Sequence, residues 1–101
     1  MKRIVVRYKI KPDQVEENAR LIKNVFAELG AKAPAGVRYQ VLSLSDGTFV
    51  HFATVENDAD DNPIPKLDAF KAFTKDIATR CLEQPQSASA TVVGNYRTID
   101  G

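Results

Sequence analysis

The chain is 101 residues long and 44% apolar, which suits one domain, residues 1–101, around one core. Its 14 Lys and Arg nearly cancel its 13 Asp and Glu, and no basic cluster stands out, so an electrostatic nucleic-acid or anionic-membrane surface is excluded. A single cysteine excludes an internal disulfide and fits a reducing, cytoplasmic setting.

Residues 3–10 alternate. Ile4, Val6, Tyr8 and Ile10 share one face, while Arg3, Val5, Arg7 and Lys9 share the other, the period-two pattern of a strand. Arg7 and Lys9 break the apolar run, so this start does not read as a signal peptide. Lys11-Pro12 ends the strand, because proline has no N–H for a ladder. Asp13 is placed to cap a helix, with Glu16 three residues on in the capping-box position. Val15, Ala19, Ile22, Val25, Phe26 and Leu29 then recur at spacings of three and four, the apolar stripe of an amphipathic helix. Gly30 is placed to end it.

Residues 37–56 read as a hairpin folded on Asp46-Gly47. A two-residue type I′ loop pairs Ser45 with Thr48. One face then carries Arg38, Gln40, Leu42, Leu44, Phe49, His51, Ala53 and Val55; the other carries Val37, Tyr39, Val41, Ser43, Val50, Phe52 and Thr54. A three-residue loop with a bulge slips the register by one and would carry His51 from the helix side to the opposite face. In either register both faces are substantially apolar, so both call for cover.

Residues 56–65, ENDADDNPIP, read as an acidic loop. Asp58, Asp60 and Asn62 match three EF-hand positions, but Pro63 stands where glycine belongs and Ala69 where glutamate belongs, so no metal site is expected. A second helix is predicted over residues 66–83, with Leu67, Phe70, Phe73, Ile77, Ala78 and Cys81 as its stripe and Pro85 as its stop. Residues 87–99 read as a last strand, with Ala90, Val92, Gly94 and Tyr96 alternating against Thr91, Val93, Asn95 and Arg97. No stretch approaches the roughly 20 apolar residues of a membrane helix. Nucleotide-binding, nucleophile-elbow and Cys-x-x-Cys motifs are absent, and no cofactor is called for.

The order β-α-β-β-α-β is that of a ferredoxin-like α+β fold, a four-stranded antiparallel sheet with two helices on one face. Two helices leave the second apolar face bare. A second copy of the sheet is the simplest cover, so a homodimer packed through its sheet faces is expected.

Three stretches carry a resemblance: VVRYKIKPDQVEEN at the first strand and helix, VRYQVLSLSDGTFVHFATVEND at the hairpin, and Leu67-Asp68-Ala69-Phe70 after the acidic loop. In these the chain is similar to antibiotic biosynthesis monooxygenase-domain proteins of the dimeric α/β-barrel superfamily. The resemblance implies a dimer whose two sheets form a barrel, with ligand pockets between the sheet and the helices of each subunit. It also implies a group whose members include cofactor-independent oxygenases, haem-degrading enzymes, isomerases and proteins without known activity. The chain has no tryptophan and no match to the Asn, Trp and His set of the haem-degrading branch, so no catalytic residue is carried over.

The only histidine, His51, lies mid-strand beside Phe49 and Ala53. An imidazole there could relay a proton to or from an aromatic substrate, or ligate an iron, or simply be a buried residue with one hydrogen bond. Tyr8, Gln40, Phe70 and Phe73 are expected around it as pocket walls, with His51 the proton acceptor and Tyr8 or Gln40 its orienting partner; the two phenylalanines equally suit plain core. Cys81, on the apolar stripe, reads as structural. The expected function is a small-molecule-binding homodimer acting as a cofactor-independent monooxygenase on an aromatic substrate. The alternative is a non-catalytic dimer that binds a ligand or another protein.

Overall fold

A computed structural model describes residues 1–56 and 62–98. Strand β1 (Lys2–Ile10) runs through a 3-10 turn (Pro12–Gln14) into helix α1 (Val15–Lys32). Strands β2 (Val37–Ser43) and β3 (Thr48–Val55) form the hairpin. A 3-10 turn (Ile64–Lys66), helix α2 (Asp68–Lys75) and the short helix α3 (Ile77–Arg80) lead to strand β4 (Cys81–Ser89). All strand pairs are antiparallel, in the order β2-β3-β1-β4, and the helices lie on one face, which is the ferredoxin-like arrangement the element order predicts. Among the described residues no helix is long and apolar enough to cross a membrane.

The core lies between helices and sheet. Tyr8, Ile10 and Phe49 from the strands meet Ile22 and Val25 of α1, Phe73 of α2, and Leu67 and Cys81. The α1 stripe therefore packs as its spacing requires, but its ends differ from expectation. Asp13 does not cap the helix: it sits within the 3-10 turn, and Gln14 takes the cap position with no side-chain bond. Nor does Gly30 end it. The helix runs on to Lys32, and Ala33 adopts the left-handed conformation (φ 42°), donating its N–H to the Leu29 carbonyl. Across the helix pair, the Glu28 carboxylate accepts the N–H groups of Ala69 and Asp68, so α1 supplies the cap that α2 lacks. The Lys32 ammonium first, and then those backbone bonds, hold the Glu28 carboxyl below the usual carboxylate range.

The hairpin takes the three-residue loop, not the type I′ turn. Gly47 N–H donates to the Leu44 carbonyl, Leu44 N–H to the Thr48 carbonyl, and Asp46 Oδ1 accepts the Thr48 N–H. Only Gly47 has positive φ (+89°); Asp46 does not, whereas a type I′ turn needs it at both positions. Val41 consequently pairs with His51, and Tyr39 with Ala53. The slip turns over β2, not β3. His51 stays on the helix side, Tyr39 and Val41 join it there, and Gln40 moves to the open face opposite Phe52.

The predicted second helix ends early, and the last strand begins early. α2 stops at Asp76 (φ −120°), and Cys81 is no helix residue but the first of β4, paired with Ile10. Ladder pairing with β1 overrides the helical periodicity of the segment. Pro85 lies inside β4. It is tolerated because β4 is an edge strand and bulges there, with Gln84 and Pro85 between the Arg7–Gln86 and Lys9–Glu83 pairs. Residues 90–98 form no strand, although the Ala90 N–H still donates to the Arg3 carbonyl. Asp58 and Asp60 of the acidic loop lie outside the described residues.

Two glycines give opposite expectations. A Cβ on Gly47 would need positive φ and sit 3.1 Å from the Ile10 carbonyl oxygen, so Gly47→Ala should destabilise by about 1–2 kcal/mol. Gly30 is helical with open space around it, so Gly30→Ala should stabilise by about 0.5–1 kcal/mol. Urea unfolding of the two variants measures both.

Candidate functional site

His51 occupies the centre of β3, and its direct neighbours across the sheet are Val6 and Val41. Two residues along from each of these stands a tyrosine, Tyr8 on β1 and Tyr39 on β2. Diagonal positions on one sheet face are within reach of long aromatic side chains. The Tyr8 hydroxyl lies 2.7 Å from Nε2, and the Tyr39 hydroxyl 2.6 Å from Nδ1. The imidazole is thus held between two phenols, one on each nitrogen.

The helices extend this contact. Asn18 of α1 donates its Nδ2–H to the Tyr8 hydroxyl at 3.0 Å. Arg80, at the end of α3, donates Nε–H to Asn18 Oδ1 at 3.1 Å. A second guanidinium nitrogen donates to the Phe73 carbonyl at 2.7 Å, and the guanidinium lies over the Phe73 ring. Asn18 is 0%, Tyr8 2%, His51 5% and Arg80 5% exposed, while Tyr39 is half-buried. Around this line are aromatic rings. Phe73 stacks on His51 at 5.6 Å, Phe49 on Tyr8 at 5.7 Å, and Phe26 on Tyr39 at 5.0 Å.

Burial sets the protonation. It pulls His51 down to about 4, and it pushes the Tyr8 and Tyr39 hydroxyls up, with the Asn18 bond opposing the rise at Tyr8. Near neutral pH the imidazole and both phenols are therefore uncharged, and Arg80 carries the charge of the set. Cys81 is buried, burial pushes its thiol up, and a protonated thiol is a poor nucleophile.

Of the residues read from the sequence, the structure brings His51, Tyr8 and Phe73 together. Phe70 stands behind them, 5.8 Å from Phe73. Gln40 is on the other face of the sheet and takes no part; Tyr39 holds the place expected of it. Sequence reasoning missed Asn18, Tyr39 and Arg80. For two of these a signal exists: Asn18 falls on the stripe with Ile22 and Val25, and Arg80 follows Phe73 and Ile77 at helical spacing. A polar side chain at a core-facing position must find a buried partner.

A shallow cleft of about 270 Å³ lies between the end of α1 and the start of β2, lined by Phe26, Leu29, Gly30, Ala33, Pro34 and Val37. On the open face, a groove of about 950 Å³ runs over Val5, Gln40, Leu42, Phe52 and Val92. His51 lines neither of these.

No protein-family model and no curated protein matches the sequence. Solved structures match the fold. One is a candidate antibiotic biosynthesis monooxygenase from Caulobacter crescentus CB15, at TM-score 0.74 and 18% identity, over 92% of this chain and 90% of that one. A second antibiotic biosynthesis monooxygenase matches at TM-score 0.73 and 13% identity, over 93% and 100% of the two chains. A Nitrosomonas europaea protein of unknown function matches at TM-score 0.72 and 18% identity, over 96% and 93%. The chain has the fold of these proteins, as its strand, helix and hairpin pattern predicts.

The neutral imidazole makes stability depend on pH. His51 takes up a proton near pH 6.5 when unfolded but only near 4 when folded. Its contribution is therefore complete above 6.5 and is lost as pH falls toward 4, by up to about 1.4 kcal/mol per pH unit. Urea unfolding of the protein and of His51→Gln across this window should show their difference in stability shrinking as pH falls. The low-lying carboxyls of Glu17, Glu28 and Asp46 are common to both and cancel.

Proposed function

We propose that the chain acts as a homodimeric small-molecule-binding α/β-barrel protein and as a cofactor-independent monooxygenase of an aromatic substrate. The observation that carries this reading is the buried, neutral His51 held between Tyr8 and Tyr39 inside a wall of rings. Such a site offers an aromatic ligand stacking surfaces, little water and one polarised hydroxyl. Tyr39 is its way in, because it alone of the five linked residues is half-buried; Phe26, which stacks on it, lines the cleft, and Tyr39 itself lines the groove on the open face. In the chemistry proposed, a methylene between aromatic rings loses a proton to water rather than to His51, whose two nitrogens are both engaged; the Tyr39 hydroxyl holds the resulting oxyanion, and that anion reacts with dioxygen. One oxygen atom becomes a carbonyl, and the other leaves as water with the two methylene hydrogens.

The dimer rests on the bare sheet face. Leu42 is 44% and Phe52 39% exposed there, and Val93 in the following segment is fully exposed. Val5, Leu42, Phe52 and Val92 line one groove there, and exposed apolar surface grouped in this way marks an interaction site. A second copy, sheet to sheet, covers it by a twofold axis. We place the protein in the cytoplasm, where its one buried thiol meets no disulfide partner.

One observation favours a second reading, a non-catalytic binding dimer: both His51 nitrogens already have partners, and the ring is closed in. Oxygen uptake with anthrone and naphthols separates the two. Uptake that falls about 100-fold in His51→Ala and in Tyr39→Phe supports the oxygenase. Intact turnover in His51→Ala overturns the role given to that residue, and binding without uptake selects the second reading. Sedimentation should give twice the 11.2 kDa chain mass, and Phe52→Lys should return it to one; a wild-type monomer removes the dimer.

A further inference from the structure

We infer that Arg80, Asn18, Tyr8, His51 and Tyr39 form a one-way hydrogen-bond relay that ends in a spare O–H hydrogen on the half-buried Tyr39, so that the group it recognises on a ligand is an acceptor atom. This rests on the small-molecule reading above for the ligand, but not for the direction of the relay.

The direction follows from the buried end. A guanidinium has donors and no acceptor, so the Asn18 atom facing Arg80 Nε must be Oδ1. The Asn18 amide is then fixed, and its Nδ2–H points at the Tyr8 oxygen. Tyr8, receiving one hydrogen there, has its own hydrogen left to place. Its only other partner is His51 Nε2, at 2.7 Å, and Tyr8 is too buried for water. Tyr8 therefore donates, Nε2 accepts, and the neutral ring carries its hydrogen on Nδ1. Nδ1–H in turn donates to the Tyr39 oxygen at 2.6 Å. The Tyr39 hydrogen is left over, and no group among the described residues takes it.

Running the relay backwards leaves a buried hydroxyl hydrogen on Tyr8 with no acceptor, an arrangement that native interiors avoid. The charge acts in the same sense. A cation at the Arg80 end favours bond dipoles whose hydrogens point away from it, and successive bonds polarise one another. Arg80 and Asn18 are thus positioning residues: they touch no ligand, yet they set which tautomer His51 adopts and what Tyr39 offers. At Tyr39 a carbonyl or an oxyanion is matched, and a group that can only donate is not.

The chain has one histidine, so a ¹⁵N-histidine-labelled sample gives a single imidazole pattern. At pH 7 the expected pattern is Nδ1 protonated and Nε2 bare. In Asn18→Asp the carboxylate accepts from both Arg80 and Tyr8, Tyr8 turns its hydrogen away from His51, and the tautomer should reverse to Nε2–H. A wild-type Nε2–H tautomer overturns the relay, as does an unchanged tautomer in folded Asn18→Asp. If that variant does not fold, the wild-type pattern still decides the direction. For the ligand, 1-indanone (acceptor only) and indole (donor only) are nearly matched in size. Calorimetry should show 1-indanone binding at least tenfold tighter to the protein, and the preference lost or reversed in Asn18→Asp. Preference for indole overturns the acceptor assignment. Binding of neither compound, with the tautomer as expected, overturns the small-molecule reading and leaves the direction standing.

Discussion

An imidazole cannot be buried with a nitrogen unpaired, and most of the helix side of this sheet is arranged around that constraint. His51 has one direct neighbour on each adjacent strand, both valines, and neither can bond to it. The partners come from the diagonal positions instead, as Tyr8 and Tyr39. Tyr8 is itself buried, so its hydroxyl needs a second partner, which α1 supplies as Asn18. The Asn18 oxygen needs a donor, which α3 supplies as Arg80. Each buried polar group thus calls for the next, until the line reaches a half-buried residue at one end and a guanidinium capped by a carbonyl and a ring at the other. The line joins β1, β2 and β3 to one another and to α1 and α3 through directed bonds, which apolar contact does not supply.

The hairpin loop decides whether that chain closes. With the three-residue loop, Tyr39 stands on the His51 side and Gln40 faces away. With a two-residue loop, the reverse would hold, and Nδ1 would face a glutamine. The choice rests on Gly47, which takes the positive φ alone and approaches the Ile10 carbonyl, while the Gly47 carbonyl accepts the Ile10 N–H. The turn is thereby tied to β1 as well as to its own strands. A tertiary contact at the loop sets the composition of a site several residues along the strand.

Fold and function separate here in the usual way. The fold is shared with solved proteins at under a fifth identity, and it hosts several chemistries. Beyond the shared fold, the structure of this chain shows a polar line under its sheet. A neutral imidazole among rings is suited to shaping hydrogen bonds rather than to carrying charge, and the one formal charge is held at the far end from Tyr39.

The sequence by itself determined the element order and the α+β architecture of a four-stranded sheet with its helices on one face. Those follow from periodicity, which is a local property: Ile4, Val6 and Tyr8 alternate, and Ile22, Val25 and Leu29 recur, whatever surrounds them. It also marked His51, Tyr8 and Phe73 as neighbours, because the topology leaves them on one face. Tertiary structure alone decided the ends. α1 passes Gly30 because the segment beyond it closes through Ala33, and Cys81 leaves the helix because Ile10 offers it a ladder partner. It also decided the site's composition. Gln40 and Tyr39 are adjacent and differ only in which face they take, and that is fixed by a turn whose energy depends on β1. Asn18 and Arg80 stand 62 residues apart, and nothing in the order of the chain announces that one amide and one guanidinium will meet over a tyrosine. Pattern reports which residues must be buried; only packing reports which of them satisfy one another.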